Sequence, residues 1–357
     1  MTQLVQIAAQ RRERLPQWAR KSRTHFESLH LLKGGFRRLN LHTVCESARC
    51  PNIHECFHRG AATFMILGGL CTRGCGFCAV PKGNPRRQEM PIDPAEPANV
   101  ARMAAEMKLR HVVITSVNRD DLVDGGSRHF AETVRQVRRA LPDARVEVLT
   151  PDFCGDLEAV ARVLDAGPHI FNHNVETVPR LYRRVRPQAD YGQSLAVLSF
   201  AREHPWQKSS NTAYAGEGGA GFRLRANSQD PEGTPVCATT EPQGLIRPGG
   251  AGIQPAGLRP RAAGALIKSG FMVGLGETEA EVHALLRDLL AVGTDVATIG
   301  QYLQPTRRNL PVTAYIEPRQ FAAYRDYGLS LGFKMVFSGP LVRSSYMADR
   351  VSEQTLC

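Results

Sequence analysis

What these 357 residues lack narrows the field before any motif is read. No run of about 18 apolar residues occurs, so no helix is expected to cross a membrane. The opening Met1-Thr-Gln-Leu-Val-Gln-Ile has neither the basic start nor the apolar core of a secretory signal. Arg and Lys are frequent over residues 11–23, as in organelle transit peptides, but ordered-looking sequence begins almost at once, and the cytoplasm is the expected compartment. Zinc-finger, RNP and helix-turn-helix patterns are absent, which argues against nucleic acid as a partner. An even, dispersed set of cysteines is missing too. There are nine, and six crowd between Cys45 and Cys78, a pattern of metal ligation in a reducing compartment rather than of a disulfide framework. Acidic residues are the scarce charge, 34 against 45 Lys and Arg, for a net charge of +11. That excess either serves solubility or asks for an anionic partner, and an acidic protein is the sharper expectation.

What is present is ordinary in bulk: 42% hydrophobic and 22% charged residues, in a length that holds one large α/β domain or two smaller ones. The cysteines are not ordinary. Cys45, Cys50 and Cys56 are spaced C-x4-C-x5-C, and Cys71-Thr-Arg-Gly-Cys75-Gly-Phe-Cys78 is C-x3-C-x2-C. Thiolates this close converge on a soft metal centre, zinc or an iron–sulfur cluster. Three local thiols leave one coordination position open, and an open position on a metal is where chemistry takes place.

Along the chain, residues 1–40 read as a basic, partly helical lead-in, and the first cysteine group as a loop wrapped on metal. Ala62–Leu67 reads as a buried strand that delivers the second group at its C-terminal end. Beyond a Pro-rich linker, strands are expected at His111–Thr115, Arg145–Thr150, His169–His173, Leu266–Val273 and Ala297–Leu303. Helices are expected near 98–108, 128–140, 156–166, 191–203 and 279–292. Six strand–helix units imply a parallel sheet, and that count suits a partial (β/α)6 TIM-like barrel, open on one side, with its site at the strand C-termini. Residues 206–264 break the rhythm, rich in Gly, Ala and Pro, and read as a disordered insertion that makes Cys237 an unsuitable ligand. The expected organisation is an N-terminal extension (1–60), a barrel (61–205 and 265–310) and a C-terminal extension (311–357).

Structural zinc sites pair short knuckles in small domains, whereas here a three-thiol loop tops the first barrel strand. That loop, with Phe77 inside it, resembles the radical S-adenosylmethionine (SAM) superfamily. The upstream C-x4-C-x5-C and the C-terminal Arg343-Ser344-Ser345-Tyr346 resemble the lipoyl synthase family within it. The likeness runs from about Leu15 to Asp349, outside 206–264, and includes Cys50-Pro-Asn, Arg119-Asp-Asp-Leu, Asn172-His-Asn-Val-Glu-Thr-Val and Val273-Gly-Leu-Gly-Glu.

The resemblance implies two [4Fe–4S] clusters. Cys71, Cys75 and Cys78 would hold one, whose open iron binds SAM. Cys45, Cys50, Cys56 and Ser345, with Ser344 as the alternative, would hold an auxiliary one that gives up sulfur. It implies sulfur insertion at C6 and C8 of an octanoyl-lysine, with two SAM molecules consumed per lipoyl group. The implied partners are an octanoylated, acidic lipoyl carrier domain, an electron donor of ferredoxin or flavodoxin type, and a cluster-repair protein; no nucleic acid or membrane is implied. Asn118, Asp120, Asn174 and Glu176 are candidate contacts for the SAM ribose or amine, with helix and loop capping as the ordinary alternative. Arg186 and Lys268 are candidates for its carboxylate or a cluster-side anion, with ordinary ion pairs as the alternative. Gly274 and Gly276 suit close backbone approach or a turn. His54 and His58 are expected on the surface, and Cys154 and Cys357 as structural or free thiols. Ile267 and Met347 stand where the family has Thr and His. A biotin synthase-like enzyme lacks a use for the upstream cysteines and the Arg-Ser-Ser-Tyr motif; an inactive paralogue is the other rival.

Overall fold

The computed structural model of the chain describes residues 16–19, 33–47, 50, 52–58, 61–205 and 266–345. Expectations placed on the 206–264 segment, on Cys237, Tyr346, Met347 and Cys357, and on the His54 and His58 side chains lie outside the described residues.

Short apolar runs rich in β-branched and aromatic residues form the strands. Among the described residues these are β1 (His42–Thr43), β2 (Ala61–Ile66), β3 (His111–Ser116), β4 (Arg145–Leu149), β5 (Ile170–Asn172), β6 (Leu266–Val273), β7 (Val296–Gln301) and β8 (Met335–Gly339). From β2 to β7 each falls close to its expected range. They build one eight-stranded sheet in the order β1 to β8. β1 runs antiparallel to β2, His42 against Met65 and Thr43 against Phe64, and every later pair is parallel. β1 and β8 are both edges, so the sheet does not close. This is the open α/β barrel, with one parallel strand more than six: β8 comes from residues expected only as an extension.

The helices named here are α1 (Val44–Ser47), α2 (Ile53–His58), α3 (Glu96–Glu106), α4 (Ser127–Ala140), α5 (Leu157–Asp165), α6 (Tyr182–Val185), α7 (Tyr191–Glu203), α8 (Glu279–Ala291) and α9 (Pro318–Leu331); residues 33–38 are helical as well. Asp156 and Asp190 cap α5 and α7, and Thr278 with Glu281 forms a capping box on α8; each cap contributes about 1 kcal/mol. The helices turn one stripe inward, as α8 does with Val282, Leu285, Leu286 and Leu289. Full burial of Phe64, Phe130 and Phe171 stabilises by roughly 1.5–3 kcal/mol each. Of the first cysteine group, expected as a loop, Cys50 is irregular, whereas Cys45 and Cys56 lie on short helices, α1 and α2. Single turns of this length are too short to show a period in sequence.

Across β3 to β6 the sheet carries a buried polar network where an inert barrel would pack Val, Ile and Leu. Lys268 Nζ lies 2.9 Å from Glu147 Oε1. Glu147 also accepts from Asn172 Nδ2 at 3.2 Å and lies 3.3 Å from His111 Nε2. Burial alone would raise the Glu147 carboxyl, but the Lys268 ammonium and His111 outweigh it and hold the pKa at about 2.

The open side is crossed by a strap, residues 341–345. Asn52 Nδ2 donates to Leu341 O at 2.7 Å. Val342 O packs onto Gly300 of β7, where any Cβ would collide with it. Ser345 Oγ meets Thr63 Oγ1 of β2 at 3.0 Å. The strap therefore ties β7 to β2 across the gap.

Candidate metal centre

β2 ends in a sharp turn, with Leu67 at φ 68 and Gly68 at φ 87. The Leu67 N–H donates to buried Glu96 Oε2 at 2.7 Å, and His129 Nε2 lies 2.7 Å from the same oxygen. The loop with Cys71, Cys75 and Cys78 thus leaves the strand at its C-terminal end, where an α/β barrel assembles its site.

Three separate parts of the barrel hold that loop. After β3, Asn118 O accepts from Thr72 N at 3.1 Å and Thr72 Oγ1 at 3.0 Å, while Asn118 N and Nδ2 reach Cys71 Sγ at 3.4 and 3.9 Å. At the end of α6, Val185 O accepts from Gly76 N at 2.8 Å, and just beyond it Gln188 Oε1 accepts from Gly74 N at 2.6 Å. Past β7, Leu310 N donates to Gly76 O at 3.0 Å, and Asn309 Nδ2 donates to Cys78 O at 2.8 Å.

Arg73, between the first two cysteines, was not among the expected site residues, and neither was Asp152. The Arg73 guanidinium is buried and fully engaged. Nε and Nη2 donate to Asp120 Oδ2 and Oδ1 at 2.7 and 3.0 Å, and Nη1 and Nη2 to Asp152 Oδ2 and Oδ1 at 2.8 and 2.7 Å. Burial opposes its charge, yet Asp152 and Asp120 raise its pKa above the ordinary value. Burial likewise pushes the Asp152 carboxyl up, but Arg73 outweighs it and holds it well below the usual range. Cys154 Sγ packs against the same group, 3.4 Å from Arg73 Nη2. Only the non-local partners reveal this anchor; an Arg inside a cysteine loop is the sole local signal.

The other expected residues separate. Asn118 sits at Cys71, whereas both carboxylate oxygens of Asp120 are taken by Arg73. Asn174 Nδ2 donates to Glu176 Oε1 at 3.1 Å, and Arg186 Nη1 donates to Asn174 O at 2.9 Å with the guanidinium over the Tyr182 ring. Burial pushes the Cys75 thiol up while the Arg186 charge pulls it down, so Arg186 acts electrostatically on that thiol. Burial also pushes the Cys78 thiol up, to about 12. Lys268 is elsewhere, locked to Glu147 near the start of β6. Gly274 (φ 99) is required by its turn, since a Cβ there would strike Ala314 O and Gln301; Gly276 is set apart only by its φ of 111.

The first cysteine group forms a second cluster of thiols. Burial raises the Cys45 pKa, and Cys50 and Cys56 raise it further, while hydrogen bonds from Thr63 act the other way. Burial lowers the Arg343 pKa, with the Cys50 charge opposing, and its Nη1 donates to Val342 O at 2.6 Å. Ser345 reaches Thr63, the residue that also hydrogen-bonds Cys45. Ser344 makes no hydrogen bond to this group among the described residues. Thr63 and Gly300, which seat the strap, carry no sequence signal beyond lying on strands. All six cysteines are thiols rather than disulfides. Among the described residues no three His, Cys, Asp or Glu close on a single ion; a cubane cluster instead takes its thiolates on separate iron atoms, a wider triangle.

An open parallel barrel with a three-thiol loop on its first parallel strand defines a radical SAM enzyme, and the model of the radical SAM superfamily matches residues 65–218. The N-terminal domain of lipoyl synthase matches residues 2–50. A lipoyl synthase from Rubrobacter xylanophilus is 48% identical over 322 residues, 90% of this chain and 81% of the relative. One from Caldanaerobacter subterraneus is 45% identical over 94% of this chain and 96% of its own length. A solved methylornithine synthase overlaps 89% of this chain and 79% of its own at 12% identity and a TM-score of 0.44, too loose a fit to add to the fold. The chain belongs to the lipoyl synthase family.

Membership brings SAM and iron–sulfur centres as cofactors, and the residues fit them. Burial penalises a bare thiolate at Cys45, Cys75 and Cys78, and iron in place of the proton relieves that penalty. Asn118 Oδ1, Asn174 Oδ1 and His173 Nε2 are buried and lack a hydrogen-bond partner among the described residues. Orphaned groups of this kind suit a polar ligand.

Proposed function

We propose that the chain inserts two sulfur atoms, at C6 and C8 of an octanoyl group amide-linked to a lysine of a lipoyl carrier domain, in the cytoplasm. Cys71, Cys75 and Cys78 hold one [4Fe–4S] cluster, and Cys45, Cys50, Cys56 and Ser345 hold a second. When bound, the first cluster and SAM supply a 5′-deoxyadenosyl radical for each C–H bond, two per lipoyl group, and the second cluster supplies the sulfur.

The chain's own residues position and insulate. Asn118 N–H and Nδ2 donate toward Cys71 and stabilise negative charge on its sulfur. Asn118, Asn174, Glu176 and Arg186 line the cofactor side. Asp120 acts through Arg73 by fixing the loop, and Lys268 acts through Glu147 by holding β4 against β6. A serine oxygen is a hard ligand for thiophilic iron and leaves readily, which suits a centre that is dismantled. The observation that carries this function is the meeting of Ser345 with Thr63, 282 residues apart, beside Cys45.

Residues 1–60 and 311–357 then serve as extensions on a barrel of 61–205 and 265–310, with 206–264 an insertion outside the chemistry. Its deletion should leave iron content unchanged. An electron donor of ferredoxin or flavodoxin type and a cluster-repair protein complete the cycle. Anaerobic reconstitution tests the whole: about eight irons per chain, and 5′-deoxyadenosine released on adding an octanoyl-lysine peptide. One cluster, or no turnover with that peptide, would sink the claim and favour a biotin synthase-like or inactive protein.

A further inference from the structure

The net charge of +11 is a surplus of Lys and Arg. Three segments beside the Cys71–Cys78 loop carry exposed cations. Lys82 sits on the strand-like return that pairs with Cys71, and Arg86 and Arg87 follow on the turn set by Asn84. Arg183 and Arg184 lie on α6, immediately before the Val185 carbonyl that accepts from Gly76. Arg307 and Arg308 precede Asn309 and Leu310, which grip Gly76 and Cys78. All seven are exposed, and none forms an ion pair with a described residue. Glu89 is the exposed acid that follows Arg86 and Arg87.

The 306–310 turn is braced by Thr306 Oγ1 to Asn309 Oδ1 at 2.6 Å and by Tyr302 Oη donating to Leu310 O at 2.6 Å. The collar surrounds only the second cysteine group. The first group is tied to β2 and the strap instead.

We propose that this collar is the docking surface for an acidic one-electron carrier protein. The inference rests on the function proposed above. A sulfur acceptor must reach both cysteine groups, whereas an electron donor needs only close approach to the second, and that is the group the collar frames. Unpaired cations around one spot raise the encounter rate of an acidic protein and fix its orientation. The transfer is one electron: the reduced carrier is oxidised by one electron, and the centre held by Cys71, Cys75 and Cys78 accepts it.

The test uses the reconstituted full chain with acidic flavodoxin as the probe, dithionite as a small-molecule comparison, and a variant carrying Arg183→Glu, Arg184→Glu, Arg307→Glu and Arg308→Glu. We expect flavodoxin binding, followed by fluorescence anisotropy, to weaken at least about tenfold and to lose its salt dependence. We expect 5′-deoxyadenosine formation to fall comparably with flavodoxin and to stay unchanged with dithionite. Equal losses with both reductants, or unchanged flavodoxin binding, overturn the proposal. So does a dithionite-driven reaction in which only the KM for the octanoylated carrier domain rises, because the collar then belongs to that partner. Failure of the underlying function is seen separately, as a parent protein that cleaves no SAM with dithionite.

Discussion

The two cysteine groups are neighbours in sequence and are held in different ways. Cys71, Cys75 and Cys78 lie on a loop whose backbone is hydrogen-bonded to three barrel loops and whose Arg73 is locked between Asp120 and Asp152. Cys45 and Cys56 lie on short helices against β2, with Cys50 between them, and the strap from residues 341–345 closes over this part of the sheet. The first arrangement is preorganised and has little to gain by moving. The second depends on a piece of chain that is docked by a few hydrogen bonds and one glycine contact, so it can be opened without disturbing the barrel. A centre that must survive turnover suits the former, and one that must release sulfur suits the latter.

The sharpest way to break this comparison is to remove one sulfur from each group. Cys71→Ala should abolish SAM cleavage, whereas Cys45→Ala should retain 5′-deoxyadenosine formation and lose sulfur insertion. Chromatographic assay of both products decides it, and similar losses in both variants would erase the division of roles.

Next in size is the anchor. Arg73→Met leaves two carboxylates buried without their cation and should cost about 3–5 kcal/mol in urea unfolding. Adding Asp120→Asn and Asp152→Asn should recover most of it, whereas no recovery would mean that packing, not charge, holds the loop.

The Lys268–Glu147 pair offers a control remote from both groups. Lys268→Met should destabilise by a similar amount at neutral pH. The folded Glu147 pKa is depressed to about 2, so the pair's contribution is fully present above the ordinary carboxylate pKa and is lost as pH falls from about 4.5 toward 2. The stability gap between parent and variant should therefore narrow over that window, with SAM cleavage at neutral pH retained wherever the variant is folded. A gap that does not change with pH would show that Glu147 is not charged in the fold.

The smallest expected effect is the most selective. Gly300→Val places a side chain on Val342 O and should cost about 1–3 kcal/mol of strap docking. Iron should be lost from the first cysteine group only, with SAM cleavage intact. Loss from both groups by Mössbauer quantification would show that the strap supports the whole barrel.

Much of the barrel was legible because buried strands write themselves as apolar runs and helices as capped stripes: Leu266–Val273 was read to the residue. β8 and α9 were missed for a physical reason. Helix Pro318–Leu331 buries only Phe321, Tyr324 and Gly328, and β8 is half exposed from Phe337 onward, so neither shows a strong period. Gly332 after the helix was the available signal. The thiol spacing marked out both cysteine groups, but Asp120 and Lys268 looked free in sequence because Arg73 and Glu147, which occupy them, are distant in the chain. Non-local pairing of this kind has no local pattern to read.

The strap also sets a clock on assembly. Thr63 and Ser345 are separated by 282 residues. At a synthesis rate of about 5–20 residues per second, Ser345 follows Thr63 by roughly 15–60 s. During that interval Cys45, Cys50 and Cys56 lie without the strap, while the Cys71–Cys78 loop obtains its last clasp, Asn309 and Leu310, before the strap exists. The nascent chain can therefore seat the second cysteine group first, and the first group is closed over only on a barrel already formed.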